Sequence, residues 1–133
     1  MPRNAITAPG ASAVGPYSHA AEQHGFVYLS GQTPVEPGTT TLVAGGIEAQ
    51  TRQCFANLGA VLAAGGLGFA DVVKCNVFLV DMVDFAAMNA VYAEVFHQPY
   101  PARTTIGVAA LPLGASIEIE MVAARPASDG RAS

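Results

Sequence analysis

From Ser116 to Arg125 the chain reads SIEIEMVAAR. Apolar side chains at Ile117, Ile119 and Met121 alternate with carboxylates at Glu118 and Glu120. Successive side chains of a strand point to opposite faces of a sheet, so this run is a strand with one dry face and one acidic face. Whatever fold the chain takes must cover the first face. Two stretches of helical period can do it. Ile47, Thr51, Cys54, Phe55, Leu58, Val61 and Leu62 recur at three and four residues, and AAGGLG ends that run with the glycines a helix C-terminus favours. Phe85, Met88, Tyr92, Val95 and Phe96 form a second stripe, with Asp84 expected as its N-cap and HQPYP as its break.

Further strands follow from composition. FVYL runs up to Gly31, and DVVKCNVFLVD is β-branched and bounded by aspartates, as a central strand is. ARTTIGVAAL sets Thr104, Ile106 and Val108 on one face and Arg103, Thr105 and Gly107 on the other. LPLGA is expected to close a hairpin between the last two strands. PVEPGTTTLVAGG reads as a turn-rich loop with a short strand around 41–43, residues 1–16 as an extended lead-in, and 126–133 as a tail without fixed structure. The order is β-β-β-α-β-α-β-β. That predicts an α+β fold, a mixed sheet with two helices packed on one face, in one domain over 1–133. The helices are expected on the Ile117 face, leaving Arg103 and Glu118 together on the other. Only 12% of residues are charged, so the open face is expected to meet another subunit and not water.

The net charge is −4, and the six Lys and Arg residues are scattered. Phosphate contacts need clustered cations, so nucleic-acid binding is not expected. The N-terminal residues lack the apolar core of a secretory leader, and no apolar run is long enough for a membrane span; a cytoplasmic protein is the expectation. His19, His24 and His97 do not fall at metal-ligand spacing, and no metal site is expected. Cys54 and Cys75 read as free, buried thiols. GGLG at 65–68 follows a helix, and so reads as its ending and not as a phosphate loop. Arg103 remains, a cation in apolar company. It is either a solvated strand residue, a cross-strand partner of a glutamate, or a fork that grips a carboxylate beside a Glu118 that activates water.

The chain resembles the RidA (YjgF-type) family of reactive intermediate deaminases. The resemblance is carried by AVGPYSHA (Ala13 to Ala20), YLSGQTPVEP (Tyr28 to Pro37), GGIEAQTRQCFANLGAVLAAGGLGFADVVKCNVFLVDMVDFAAMNAVY (Gly45 to Tyr92) and PARTTIGVAALPLGASIEIEMVA (Pro101 to Ala123). It implies a chorismate-mutase-like homotrimer with active sites between neighbours, hydrolysing enamine and imine acids such as 2-aminoacrylate to 2-keto acids and ammonia without cofactor or metal. By the same resemblance Arg103 grips the substrate carboxylate and Glu118 positions the water. Tyr17, Ser30, Gly31, Asn89 and Pro112 line the pocket, and the backbone at Thr105 holds the substrate nitrogen. Thr105 stands where the best-known members have cysteine, which bears on substrate preference. A trimer that binds amino or keto acids without turnover is the alternative.

Overall fold

The computed structural model describes residues 2–10 and 15–127. Helix α1 (Ile47–Ala64) ends as its glycines require. Gly66 takes φ +75°, Gly66 N–H donates to Ala63 O, and Leu67 N–H reaches back to Leu62 O at 2.8 Å. The left-handed glycine thus closes two terminal carbonyls and folds Leu67 onto the helix's apolar face. Helix α2 (Phe85–Val95) starts differently from expectation. Asp84 makes no side-chain cap; Asp81 does, accepting from Val83 N–H at 3.0 Å, because a 3₁₀ turn over Met82–Asp84 precedes the α-helix and moves the free N–H groups upstream.

The strands are β1 (Asn4–Ile6), β2 (Ala20–Gln23), β3 (Phe26–Gln32), β4 (Val72–Leu79), β5 (Ala102–Gly107) and β6 (Ile117–Ala124). They form one sheet in the order β1-β2-β3-β6-β4-β5. The element order matches the sequence reading, but two strands lie in the stretch before Phe26. β1 sits inside the lead-in, and β2 turns into β3 through His24 (φ 57°) and Gly25 (φ 82°), the two left-handed residues a tight hairpin needs. The strand expected near 41–43 reduces to one bridge, Val35 to Leu42. Of the expected tail, Pro126 and Ala127 are irregular, and the rest lies outside the described residues.

The last two strands do not form a hairpin. β5 pairs in parallel with β4 through the α2 crossover and is an edge strand; β6 lies antiparallel between β3 and β4. The LPLGA loop therefore passes β4 instead of turning back on β5.

Both helices pack on one face, over Val27, Leu29, Cys75, Val77, Leu79, Ile117, Ile119 and Met121, all in the buried core with Leu58, Leu62, Met88 and Val91 of the helices. Phe55, Phe69, Tyr92 and Phe96 close one end in edge-on ring contacts with centroids 5.7–6.0 Å apart, apart from the tilted Tyr92–Phe96 pair at 4.7 Å. The other face carries Lys74, Asn76, Phe78, Thr104, Ile106, Glu118, Glu120 and Val122, with Phe26 and Tyr28 toward β3. No described element covers it: Tyr28 is 54% exposed and Ile106 45%.

Candidate active site

The residues expected to act together fall into two groups on opposite faces of the sheet. In the β4–β5 register Cys75 stands beside Arg103 and Val77 beside Thr105, and Cys75 and Val77 face the helices. Arg103 and Thr105 therefore lie on the helix face, not with Glu118 as expected. Nor are their strands adjoining, since β4 separates β5 from β6. The reason is local to the edge. The helix layer there offers rings and an amide where a guanidinium can settle, while Thr104 and Ile106 take the open face.

Glu118 organises the first group. β3 has an irregularity in register between Leu29 and Gln32: Leu29 opposes Met121 and Gln32 opposes Ile119, so Ser30 and Gly31 share the space of one residue. Ser30 N–H donates to His19 O at 2.9 Å, and Ser30 Oγ donates to Ser18 O at 2.6 Å, which ties this bulge to the lead-in. Buried His19 is itself held, its Nδ1 accepting from Ala8 N–H at 3.0 Å. Glu120 is the β6 residue across the bulge, and the Glu118 side chain leans over Gly31. A Cβ built on Gly31 would overlap Glu118 Oε2 and stand 2.9 Å from its Cδ. Only a residue without a side chain lets that carboxylate rest there. Tyr17, Ser30, Gly31, Thr33, Pro112, Leu113, Glu118 and Glu120 line an open cavity of about 500 Å³. Leu113 holds φ +62°, a conformation that is strained for a branched side chain and that turns it into the cavity wall. Partial burial, and then the charge of Glu120, hold the Glu118 carboxyl above the usual carboxylate value. A carboxylate so placed accepts a proton more readily than one in water, the property a general base needs.

Arg103 organises the second group. Its Nη1 donates to Asn89 Oδ1 at 2.6 Å, and its guanidinium carbon lies 4.6 Å from the Tyr92 ring centre and 5.6 Å from that of Phe85. Asn89, Phe85 and Tyr92 all come from α2, so one helix fixes the fork by an amide and two π faces. Asn89, Tyr92, Ala93, Tyr100, Pro101 and Arg103 line a cavity of about 350 Å³. Asn89 lies beside Arg103 in this cavity, and its amide oxygen accepts from the guanidinium. Beneath, burial pushes the Cys75 thiol up to about 12 and the Tyr92 phenol up to about 12, Arg103 pulling each the other way. Both cysteines are buried free thiols, unsuited to nucleophilic work. Thr105 Oγ1 and Tyr92 Oη are buried without a nitrogen or oxygen partner.

Sequence reasoning missed Thr33 and Leu113 in the first cavity, and Phe85, Tyr92 and Tyr100 around Arg103. Tyr92 had a legible signal, since it lies three residues after Asn89 on one side of a helix. Leu113 had none, because its role rests on a backbone angle. Among the described residues no group of three or more His, Cys, Asp and Glu side chains gathers to hold a metal. Among the described residues no helix is long and apolar enough to cross a membrane.

Residues 6–125 match the protein family described as endoribonuclease L-PSP. Protein DfrA of Myxococcus xanthus is 45% identical over 126 residues, 92% of this chain and 96% of that protein. The 2-iminobutanoate/2-iminopropanoate deaminase of Capra hircus is 43% identical over 117 residues, 88% of this chain and 85% of that one. Among solved structures, RidA from the Antarctic bacterium Psychrobacter superimposes with a TM-score of 0.87 at 43% identity, covering 92% of this chain and 99% of that one. With its sheet, its two helices and nearly its whole length matched, the chain belongs to the RidA (YjgF-type) family, which includes proteins named as imine deaminases.

Proposed function

We propose that this protein hydrolyses short 2-imino acids, the tautomers of 2-aminoacrylate-type enamines, to 2-keto acids and ammonia. It does so in a homotrimer whose sites each combine the Arg103 group of one copy with the Glu118 group of a neighbour. The observation that carries this reading is the separation of the two groups by the thickness of the sheet. A carboxylate grip and a water-activating base cannot act on one small substrate from opposite faces of one chain. The open face supports the same reading, with apolar side chains around Glu118 available for burial against a second copy.

The chemistry asks little of the protein. Arg103 holds the substrate carboxylate through two parallel hydrogen bonds, and the free edge of β5 at Thr105 offers backbone groups to the imine nitrogen. Glu118 takes a proton from water as the oxygen bonds to C2 of the protonated imine and the C=N π pair moves onto nitrogen, giving a neutral carbinolamine. Glu118 then returns that proton to nitrogen, the C–N bond breaks with its electron pair leaving on nitrogen as ammonia, and the C2 hydroxyl gives its proton to the freed Glu118 carboxylate as the keto group forms. Orientation and charge placement suffice for a substrate that is already electrophilic. The steps need no metal or organic group.

The test is complementation, with imine supplied by a pyridoxal-phosphate-dependent threonine dehydratase. Arg103→Ala and Glu118→Gln each abolish acceleration of ammonia release. Co-assembled, they recover about a quarter of wild-type activity, the share of randomly formed interfaces that joins an intact arginine to an intact glutamate. Failure to recover any activity in mixed oligomers rules out the shared site. Calorimetric binding of a keto acid without faster ammonia release favours a non-catalytic binder instead.

A further inference from the structure

Glu120 has no part in the steps above, yet it shares the cavity of Glu118 and stands two residues along on the same face of β6. Its side chain is not loose. On β4, Asn76 is its register partner, and Asn76 Nδ2 donates to Glu120 Oε2 at 2.9 Å. On the other side lies the Ser30–Gly31 bulge, over which Glu118 rests. A second carboxylate is thus anchored at a set separation from the first, in a cavity that partly excludes water. Holding two like charges there is unfavourable without a purpose.

Resting on the function proposed above, we infer that Glu120 is a positioning residue, whose Asn76-anchored carboxylate sets how readily Glu118 takes up and returns a proton during turnover. The other groups around Glu118 are few. β4 offers Lys74, whose Nζ donates to Thr104 Oγ1 at 2.9 Å, and β3 offers Tyr28, further along the open face. The lead-in supplies Tyr17 to the cavity, and α1 places the Cys54 thiol beneath the sheet, its Sγ against Gln32 O. In the shared site, Arg103 of a neighbouring copy also faces it. Among the described residues around Glu118, Glu120 is the one other carboxylate, and it acts against the cations. The upward displacement of the Glu118 carboxyl by Glu120 has the direction this role requires.

The experiment follows the Glu118 carboxyl carbon by ¹³C NMR across pH in the assembled protein, with Glu118→Gln to assign the signal, alongside the pH profile of kcat/KM. Glu120→Gln moves the Glu118 midpoint down by roughly half a pH unit, the repulsion expected of two charges at strand i, i+2 spacing. The acid limb of the rate profile moves down with it, since Glu118 must be ionised to accept the water's proton. Asn76→Ala leaves every charge in place and only releases Glu120; it moves both in the same direction by less, and serves if Glu120→Gln fails to assemble. Midpoints unmoved in both variants overturn the proposal. A moved midpoint with an unmoved acid limb overturns the catalytic role. The NMR arm needs no turnover, so an inactive wild-type protein with a moved midpoint counts against the deaminase reading and not against the coupling.

Discussion

Gly31 and Glu118 work as one unit. The glycine lies in a strand where side-chain space is ordinarily filled, and the space it leaves is occupied by the carboxylate two strand positions from the cavity's other acid. Gly31→Ala is therefore expected to leave the melting temperature nearly unchanged, because the group that must move is the free end of a flexible side chain. Deaminase kcat falls on the order of a hundredfold, the effect of misplacing a reacting group by about 1 Å. Thermal denaturation beside single-substrate kinetics checks this; near-normal turnover means the resting place of Glu118 is unimportant. Thr105 is a residue of the opposite kind. Its hydroxyl is buried and unpartnered, so Thr105→Val, which keeps the shape and removes the polar atom, raises stability by about 1 kcal/mol. A lower melting temperature in the assembled protein would mean that a neighbouring copy satisfies the hydroxyl. At this scale the sequence drew attention to residues and was silent on how they meet. Glu118, Arg103 and Gly31 stood out by pattern and resemblance. That Gly31 serves Glu118, or that Asn89 serves Arg103, depends on contacts between segments far apart in the chain.

Among the elements, α2 and β5 form the unit that holds the cation. α2 buries Met88, Val91 and Tyr92 and presents Asn89 and Phe85 beside them, so the stripe that anchors the helix also aims the guanidinium. Asn89→Ala removes the 2.6 Å acceptor but leaves both rings. Arg103 then keeps its stacking and loses its set fork direction. The expected result is a rise of about tenfold in KM for the imino acid with a smaller change in kcat, since ground state and transition state share the carboxylate contact. A large fall in kcat at constant KM would instead place Asn89 against the reacting atoms. This unit also explains where periodicity misled. Alternation assigns residues to two sides of a strand but does not say which side meets the helices, and in β5 neither set carries a run of large apolar residues. Ile106 is on the open face and Arg103 on the helix face. β6, with its three large apolar residues against two glutamates, carried no such ambiguity. The β5–β6 hairpin failed for a related reason. A short loop with proline and glycine fits a hairpin, and the insertion of β4 beside β6 is a long-range pairing that no local signal carries.

At the scale of the whole molecule, the open face is the surface that no described element covers. It combines Phe26, Tyr28, Phe78, Ile106 and Val122 with Lys74, Asn76, Thr104, Glu118 and Glu120, a mixture suited to an interface with an apolar interior and polar positions of fixed purpose. If the active site is shared, folding of one copy and activity are separable properties, and a substitution outside both cavities can break one without the other. Ile106 is suitable. It is 45% exposed, lies on the edge strand, and belongs to neither cavity. A lysine there costs the single copy little, because its long chain can reach water. In a closed assembly the same lysine would meet apolar surface as an unpaired buried charge. Ile106→Lys is accordingly expected to keep the far-ultraviolet dichroism of the folded chain, to sediment as a monomer at micromolar concentration, and to lose deaminase activity although Arg103 and Glu118 are intact. The loss should be relieved as protein concentration is raised, since assembly follows mass action and a monomer's own activity does not. An Ile106→Lys protein that sediments as the wild type and turns over normally would show that this face stays open, and that Arg103 and Glu118 do not meet across it.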